Sequence, residues 1–300
     1  MDAGRPPVVL DLDGSVGALP NEVRLILPEW QEAVRFGCSH ARMGLFQQRL
    51  HKCMPAFQQH GTVFMGSGDF HHLSWPLVTR CVEGVGHTSR QPLRVVVLDN
   101  HPDNMRFPFG VHCGSWVRRV VMLPAVSHVH VIGITSGDIS VRHAWENYLA
   151  PLKAGRLTYW SIGVDTRWSQ WLGLGNCFRS FSDANALTAA VFRMLSAHRQ
   201  RTYLSIDKDV FSPAVVRTNW DQGMLESHHA FAILEALRGQ LVGSDVTGDV
   251  SEYRYQTAWK RWLSAGDGQD TSQVGAALPD WQAQQSAFNQ VLLEQIALAS

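Results

Sequence analysis

Acidic residues and histidines follow three apolar segments of this sequence at spacings that suit the binding of metal ions. In VVVLDNHPDN, residues 95–104, Asp99, His101 and Asp103 alternate directly after an apolar run. Side chains two residues apart in an extended chain project to the same side, so these three can converge on one cation. A polar loop without a ligand is the ordinary alternative for this segment taken alone.

A second acidic pair follows the apolar start of TYLSIDKDVFSP, residues 202–213. Asp207 and Asp209 stand two residues apart, and burying two carboxylates at a strand end is costly unless cations compensate their charge. A solvated turn, in which Asp209 accepts hydrogen bonds from backbone amides, is the alternative. Because this pair repeats the arrangement at Asp99, the two segments together favour a metal site.

The third segment is GSGDFHHLS, residues 66–74, in which His71 and His72 follow two glycines. Glycine permits a close approach of the backbone to a bound group. Two adjacent histidines, taken alone, are more often polar surface or core residues than metal ligands. Its value lies in its position after a further apolar strand, which adds an imidazole to the acidic set.

The elements that must position these residues alternate between strands and helices. Ser182 or Asp183 is expected to begin one helix, and Ser227 another that ends at Gly239. An amphipathic helix closes the chain. Strands buried on both faces imply a parallel sheet with helices on each side, with sites at the carboxyl ends of the strands. The predicted strands lie at residues 8–12, 61–68, 93–100, 128–134, 157–164, 201–209 and 240–249.

Composition narrows the class of protein. The 300 residues are 45% hydrophobic, and we expect a single α/β domain spanning residues 1–300. Lys and Arg number 26, as do Asp and Glu, which gives no reason to expect a nucleic-acid or anionic-membrane partner. Five scattered cysteines without C-x-x-C spacing favour a reducing compartment. With neither a signal peptide nor a membrane span, we expect a cytoplasmic protein.

The three segments occur in an order that resembles the ureohydrolase family of arginase, agmatinase and formiminoglutamase. Its motifs are Gly-Gly-Asp-His-Ser, Asp-Ala-His-x-Asp and Ser-Phe-Asp-x-Asp-x-x-Asp-Pro. The second is matched by DNHPD at residues 99–103 and the third by SIDKDVFSP at residues 205–213. The first is matched by GDFHHL at residues 68–73. On this resemblance the chain is identified as a divergent member of the family.

Departures from the motifs mark the divergence. Ser212 stands where the family has its last Asp, Phe70 where it has Asp, and His72 where it has Ser. Whether His71 or His72 is the ligand stays open. Weaker matches to later family motifs are HCGSW (112–116), SIGVDTR (161–167), NWDQGML (219–225) and VGSDVTGDVS (242–251).

The resemblance implies a three-layer α/β/α sandwich on a mostly parallel sheet of about eight strands. It implies catalytic roles for Asp103, for His112 as a proton shuttle, and for Asp249, which would hold the substrate cation. The donor set is rich in oxygen and lacks thiolates, which suits two Mn²⁺ ions better than a structural zinc. The implied metal ligands are His71, Asp99, His101, Asp103, Asp207 and Asp209.

The implied reaction is hydrolysis of a C–N bond in a small guanidino or amidino substrate by a hydroxide that bridges the two metals. The physiological substrate and any homo-oligomeric state stay open. Residues that recognise the rest of the substrate follow the second motif in this family, and here that segment reads NMRFPFGV, with Arg106 a candidate for an anionic group.

Three alternatives stay open beside this interpretation. VVLDLDGSV at residues 8–16 resembles the first motif of haloacid-dehalogenase-like phosphatases, with Asp11 as nucleophile and Asp13 as general acid. That reading leaves the three histidine and aspartate segments without a role. A single-zinc deacetylase on a related sandwich also places Asp and His at strand ends. A non-catalytic homologue would keep the fold with altered chemistry.

Overall fold

The computed structural model describes residues 5–84, 86, 91–261 and 274–300. Two β-strands precede the first helix, and strands and helices alternate after it except at one pair of consecutive strands. The strands are β1 (Val8–Asp11), β2 (Val23–Ile26), β3 (Gly37–Cys38), β4 (Val63–Phe64), β5 (Leu93–Leu98), β6 (Val111–His112), β7 (Val126–Ile134), β8 (Leu157–Ile162), β9 (Phe178–Phe181), β10 (Thr202–Asp207) and β11 (Leu241–Thr247).

Helices connect most of these strands. Several are single turns, and short 3₁₀ segments supplement them, among them Gly68–Leu73 after β4. The α-helices are α1 (Gln31–Val34), α2 (His40–Cys53), α3 (Ser74–Gly84), α4 (Val117–Val121), α5 (Ala150–Lys153), α6 (Trp168–Trp171), α7 (Ala184–Ala197), α8 (Ser227–Ala236) and α9 (Val274–Ala299). No helix in the described ranges has the length and apolar character needed to span a bilayer.

Nine strands form one sheet in the order β2-β1-β4-β11-β10-β5-β7-β8-β9. Every pairing in it is parallel, whereas β3 and β6 form a separate antiparallel pair. The predicted three-layer α/β/α class is confirmed, with nine strands where the resemblance implies about eight. Each of the seven predicted strand segments contains a strand of this sheet. The two that the sequence analysis missed, β2 and β9, lie at the sheet edges.

The sheet separates two apolar cores, and β5 shows why its sequence is apolar throughout. All six of its residues are buried. Leu93, Val95 and Val97 pack into the core that contains α2, α3 and α4. Val96 and Leu98 pack into the core that contains α7, α8 and α9. Helices on both faces therefore exclude water from the strands, as a parallel sheet requires.

Helix starts follow the capping chemistry in part. Asp183 is the N-cap of α7, and its carboxylate accepts a 2.8 Å hydrogen bond from the amide of Ala186. This resolves the choice between Ser182 and Asp183. Ser227 is the first residue of α8, as predicted, and Glu226 is its N-cap. The side chain of His229 accepts a hydrogen bond from the Glu226 amide.

The order of the central strands brings the predicted site segments together. Strands β5 and β10 are neighbours in register, with Ile206 paired to Leu98, so Asp99 and Asp207 leave the sheet side by side. β4 lies two places from β10, across β11, and leads into the 3₁₀ segment that carries His71. All three segments emerge at the carboxyl edge, where parallel sheets form their sites.

One glycine at this edge is required by close packing. Gly133 lies in β7 at φ +108°, and a Cβ there would collide with Cγ2 of Val210. The register of β7 with β8 shifts at the same point. The backbone conformation and the contact with Val210 therefore both exclude a side chain.

We predict that Gly133→Ala lowers the free energy of unfolding by about 2–3 kcal/mol, through backbone strain and overpacking. Urea unfolding of both proteins measures the loss. The matched control is Gly137→Ala, because a Cβ at Gly137 has no atom within 4 Å and the backbone φ there is not positive. Equal stability of the two variants would contradict the assignment.

Candidate metal centre

Two imidazoles each lie among carboxylates at the carboxyl edge of the sheet. Nδ1 of His71 is 2.9 Å from an oxygen of Asp103, 3.2 Å from one of Asp99 and 3.4 Å from one of Asp207. Nδ1 of His101 is 3.0 Å from an Asp209 oxygen. The six side chains predicted as ligands therefore gather around one cavity of about 590 Å³, and all of them line it.

Backbone and loop contacts fix the carboxylates in this arrangement. Asp99 directly follows β5, and its Oδ1 accepts a 2.7 Å hydrogen bond from the amide of His101. Asp209 accepts from the amide of Asn100 at 3.1 Å. Asp103 has the left-handed φ of 46°, which a short polar residue tolerates better than a bulky one. Its carboxylate is thus fixed by the turn after Pro102 rather than by a strand.

Burial strongly affects the charges of these groups. Asp99, Asp103, Asp207 and Asp209 are each at most 4% exposed. Burial, with the neighbouring charge of Asp99, raises the pKa of Asp103 and that of Asp209 to about 7. Burial and the charge of Asp209 raise the pKa of Asp207 well above its ordinary value. The carboxylates therefore resist ionising together unless positive charge is supplied.

The donor set fits divalent cations. The potential ligand atoms form two groups, and within each group all of them lie within 4.8 Å of one another. The first group comprises His71, Asp99 and Asp103, and the second Asp99, His101 and Asp209. Asp99 belongs to both groups. Carboxylate oxygens with one imidazole each, and no thiolate, are a donor set that Mn²⁺ accepts.

The structure separates His71 from His72. His71 faces the carboxylates, and although burial opposes protonation, Asp103 and Asp99 raise the pKa of its imidazole well above the ordinary value. His72 is fully buried and does not line the cavity. Burial, with nearby His112, lowers the pKa of His72 well below its ordinary value. Of the two, His71 alone is placed as a ligand would be.

His112 lies in the wall of the same cavity. Its Nδ1 accepts a 3.1 Å hydrogen bond from the amide of Gly114, which leaves the proton of the neutral ring on Nε2. Burial lowers the pKa of His112 to about 4. The side chain is therefore a neutral imidazole with its Nε2 proton available near pH 7.

Asp249 is placed away from this cavity, contrary to the role implied for it in holding the substrate cation. Its carboxylate is buried and lies 2.8 Å from Nζ of Lys208, and it accepts a 2.9 Å hydrogen bond from Asn289 of α9. It does not line the cavity. Both contacts engage Oδ1 of the carboxylate, and the structure does not bring Asp249 to the cavity that the six predicted ligands line.

Three residues that the sequence analysis did not select also contribute. Asp221 accepts from Nε2 of His101 at 2.8 Å, and Trp116 donates to Asp103 at 2.6 Å. The ring of Trp220 lies 6.2 Å from that of His101. All three residues lie in the weakly matched motifs HCGSW and NWDQGML. These motifs are loops, which have no periodicity that predicts where a side chain points.

Asp13 of the phosphatase-like motif belongs to another buried group, which we name the Arg35 cluster. Arg35 donates to Asp13 at 3.2 Å, to Asp69 at 2.6 Å, to Ser67 at 3.2 Å and to Ser251 at 2.7 Å. The Asp13 carboxylate is thus occupied by a guanidinium. Ser67 precedes the 3₁₀ segment Gly68–Leu73 and Asp69 lies within its first turn. The cluster therefore anchors the start of that segment.

Asp11 is also engaged in a salt bridge. One of its oxygens lies 3.1 Å from Nη1 of Arg24 on β2, and the other accepts from the amide of Gly14 at 3.0 Å. Neither Asp11 nor Asp13 lines the cavity. VVLDLDGSV is therefore the end of β1 followed by a turn, and the geometry gives the phosphatase interpretation no support.

Comparison with known proteins places this fold. No protein-family model matches the sequence. An uncharacterized protein from Thermotoga maritima is 23% identical over 201 residues, which cover 67% of this chain and 61% of the relative. The match therefore spans less than two thirds of that protein's length.

Solved structures of similar fold are described as an amidino hydrolase, an agmatinase and an arginase. A proclavaminate amidino hydrolase from Streptomyces clavuligerus is 17% identical, with a TM-score of 0.56 over 99% of this chain and 93% of that one. A hypothetical agmatinase from Burkholderia thailandensis is 17% identical, with a TM-score of 0.51 over 97% and 86%. Arginase from Medicago truncatula is 16% identical, with a TM-score of 0.50 over 86% and 64%.

These similarities define the class of fold. The chain has the α/β/α fold of the arginase and amidino hydrolase structures, covering nearly its whole length in two of the three. The predicted resemblance to the ureohydrolase fold is thereby confirmed.

We predict that Lys208→Met costs about 3–5 kcal/mol of stability, because it leaves the buried Asp249 carboxylate unpaired. Adding Asp249→Asn removes the charge, keeps an oxygen that accepts from Asn289, and recovers more than half of the loss. Chemical denaturation of both single variants and the double variant gives the coupling energy. Additive effects of the two substitutions would show that the pair does not interact.

Proposed function

We propose that the protein is a divergent ureohydrolase, a metal-dependent hydrolase that cleaves a C–N bond of a guanidino or amidino compound with two divalent cations, Mn²⁺ in preference. The observation that carries this proposal is the pair of imidazoles, each beside carboxylates, with Asp99 common to both groups. The similarity of the fold to a proclavaminate amidino hydrolase and an arginase supports it.

The residues divide between two cation positions. His71, Asp99, Asp103 and Asp207 would hold one ion, and His101 with Asp99 and Asp209 the other. When bound, a pair of divalent ions supplies Lewis acidity and lowers the pKa of water, which yields a nucleophile at neutral pH. The four carboxylates would balance the charge of two dications, and binding would offset the burial and repulsion that raise the pKa values of Asp103, Asp207 and Asp209.

Outer contacts orient the ligands. Trp116 donates to Asp103 and so fixes the carboxylate that no strand supports. Asp221 accepts from Nε2 of His101, which leaves Nδ1 facing Asp209. Such partners determine which ring nitrogen is free to bind a metal and increase its basicity. Loss of either contact should weaken cation binding without removing a ligand.

The remaining cavity residues suit a cationic, planar substrate group. Asp138 and Glu146 line the cavity, and their charges favour a guanidinium or amidinium over an anion. His112 holds its Nε2 proton at the wall and would donate a hydrogen bond to the departing nitrogen. The pKa of about 4 keeps this imidazole neutral across the neutral pH range.

Metal analysis combined with hydrolysis assays tests the proposal. Protein purified without chelator should contain two equivalents of Mn and release urea or ammonia from guanidino or amidino compounds. Asp209→Asn should reduce turnover by at least about a thousandfold, whereas Asp11→Asn should retain nearly all of it, because Asp11 lies outside the cavity. One equivalent of zinc would indicate a deacetylase. Mg²⁺-dependent hydrolysis of phosphate esters that is lost in Asp11→Asn would indicate a phosphatase.

Asp207→Ala should lower stability mainly when Mn²⁺ is present. Ions at about 100 times their dissociation constant stabilise the native wild type by about 3 kcal/mol, and the variant loses most of that gain. In metal-free protein the difference should shrink or reverse, because one repelling carboxylate is gone. Thermal melts of both proteins with and without Mn²⁺ measure this.

The matched control is Asp165→Ala, which removes an exposed carboxylate paired only with exposed Arg167. It should respond to Mn²⁺ as the wild type does. An equal destabilisation of Asp207→Ala in both conditions would make Asp207 a structural residue and would remove it from the proposed ligands.

A further inference from the structure

A second and larger cavity adjoins the candidate metal centre. It has a volume of about 930 Å³ and shares two wall residues, Met105 and His112, with the cavity that holds the carboxylates. We name it the aromatic cavity, because Phe36, Phe107, Phe109 and Trp259 line it. Volumes of this order accommodate a small organic ligand.

A row of rings runs from the aromatic cavity to the metal centre. The ring of Phe107 lies 4.6 Å from that of His112, and His112 lies 6.0 Å from Phe36 in a stacked arrangement. Phe36 is stacked on Trp220 at 6.4 Å, and Trp220 lies 6.2 Å from His101. The row therefore connects the wall of the aromatic cavity with the candidate metal centre through ring contacts.

The ring at the centre of this row has a strained backbone. Phe36 has φ +65°, a conformation that costs a bulky residue about 1–3 kcal/mol. Two hydrogen bonds maintain it: its amide donates to the carbonyl of Asp69, and its carbonyl accepts from the amide of Cys113, each at 2.9 Å. Asp69 and Cys113 are close in sequence to His71 and His112. The two hydrogen bonds therefore position Phe36 relative to the candidate site.

Two of the five charged residues in the wall of the aromatic cavity are engaged by the protein itself, whereas Glu29, Arg42 and Arg106 are exposed. The Nζ of Lys260 donates to the carbonyl oxygens of Glu32 and Arg35, and burial lowers its pKa to about 8. The Glu32 carboxylate accepts from Thr257 and Tyr253. By contrast, Phe109 is 81% exposed and Trp259 40% exposed. A ligand in this cavity therefore meets exposed aromatic rings, with charged side chains beside them in the wall.

We propose that the aromatic cavity binds an aromatic tail of the substrate, whose guanidino or amidino group lies at the metal centre. The substrate class is then an arylalkyl guanidine or amidine rather than one with an amino-acid or amine tail. This inference rests on the proposed function. It also gives a role to the segment Met105–Phe109, whose side chains form one wall of the cavity.

Calorimetric titration with three guanidines tests the proposal, on Mn²⁺-loaded and on metal-free protein. The probes are 4-phenylbutylguanidine, 4-aminobutylguanidine with the same linker and a polar end, and methylguanidine without a tail. We expect the phenyl probe to bind at least about tenfold more tightly than the other two, since burying a phenyl group contributes about 1.5–3 kcal/mol.

Variants locate the tail. Phe107→Ala and, separately, Trp259→Ala should weaken binding of the phenyl probe by about tenfold and leave methylguanidine unchanged. Phe192→Ala is the matched control, because this partly exposed phenylalanine lies on α7 and outside the cavity. Use of the exposed Trp259 keeps the test valid if Phe107→Ala fails to fold.

The outcomes separate this inference from the proposed function. Tighter binding of the amino probe, or an equal loss for all probes in Phe107→Ala, would overturn the aromatic subsite even if urea is released. Tail-dependent binding without hydrolysis of any probe would support the subsite and overturn the proposed function. Selective binding together with urea release from the phenyl probe would support both.

Discussion

Mutual repulsion among four buried carboxylates is the constraint on which the rest of the candidate site depends. Asp99, Asp103, Asp207 and Asp209 converge where water is nearly excluded, and the pKa values of Asp103 and Asp209 rise to about 7 as a result. Two imidazoles and one indole N–H offset part of this charge. The surrounding contacts keep the carboxylates together against a force that separates them.

That force is resisted by a scaffold that cannot easily relax. Strands β5 and β10 are central in the sheet and are covered by helices on both faces, so Asp99 and Asp207 leave it at fixed positions. Histidines 71 and 112 come from short segments outside the sheet, and the strained turn at Phe36 links their two backbones. Asp99 and Asp207 are thus positioned by the sheet, and His71 and His112 by its connections.

Sequence patterns predicted what depends on strands and strand ends. Runs such as VVVL are apolar because both faces of β5 are covered, so the residue after each run could be placed at the carboxyl edge. The edge strands β2 and β9 were missed because they are partly exposed and contain arginine. Asp249 lies outside the cavity, since the turn after β11, which begins with Gly248 at φ +94°, directs its side chain towards Lys208. Asp221 was not selected because it lies on a loop, where the spacing of residues does not predict the direction of a side chain.

The Arg35 cluster has a consequence for how the chain folds. Its guanidinium joins residues 13, 67, 69 and 251, and the bond to Ser251 spans 216 positions of sequence. Contacts of such separation form late, since the entropy of closing long loops must be overcome before they contribute. Full anchoring of the turn that presents His71 therefore requires the segments around residues 13 and 251 to pack against Arg35. A partly folded chain would have the sheet but lack an ordered centre.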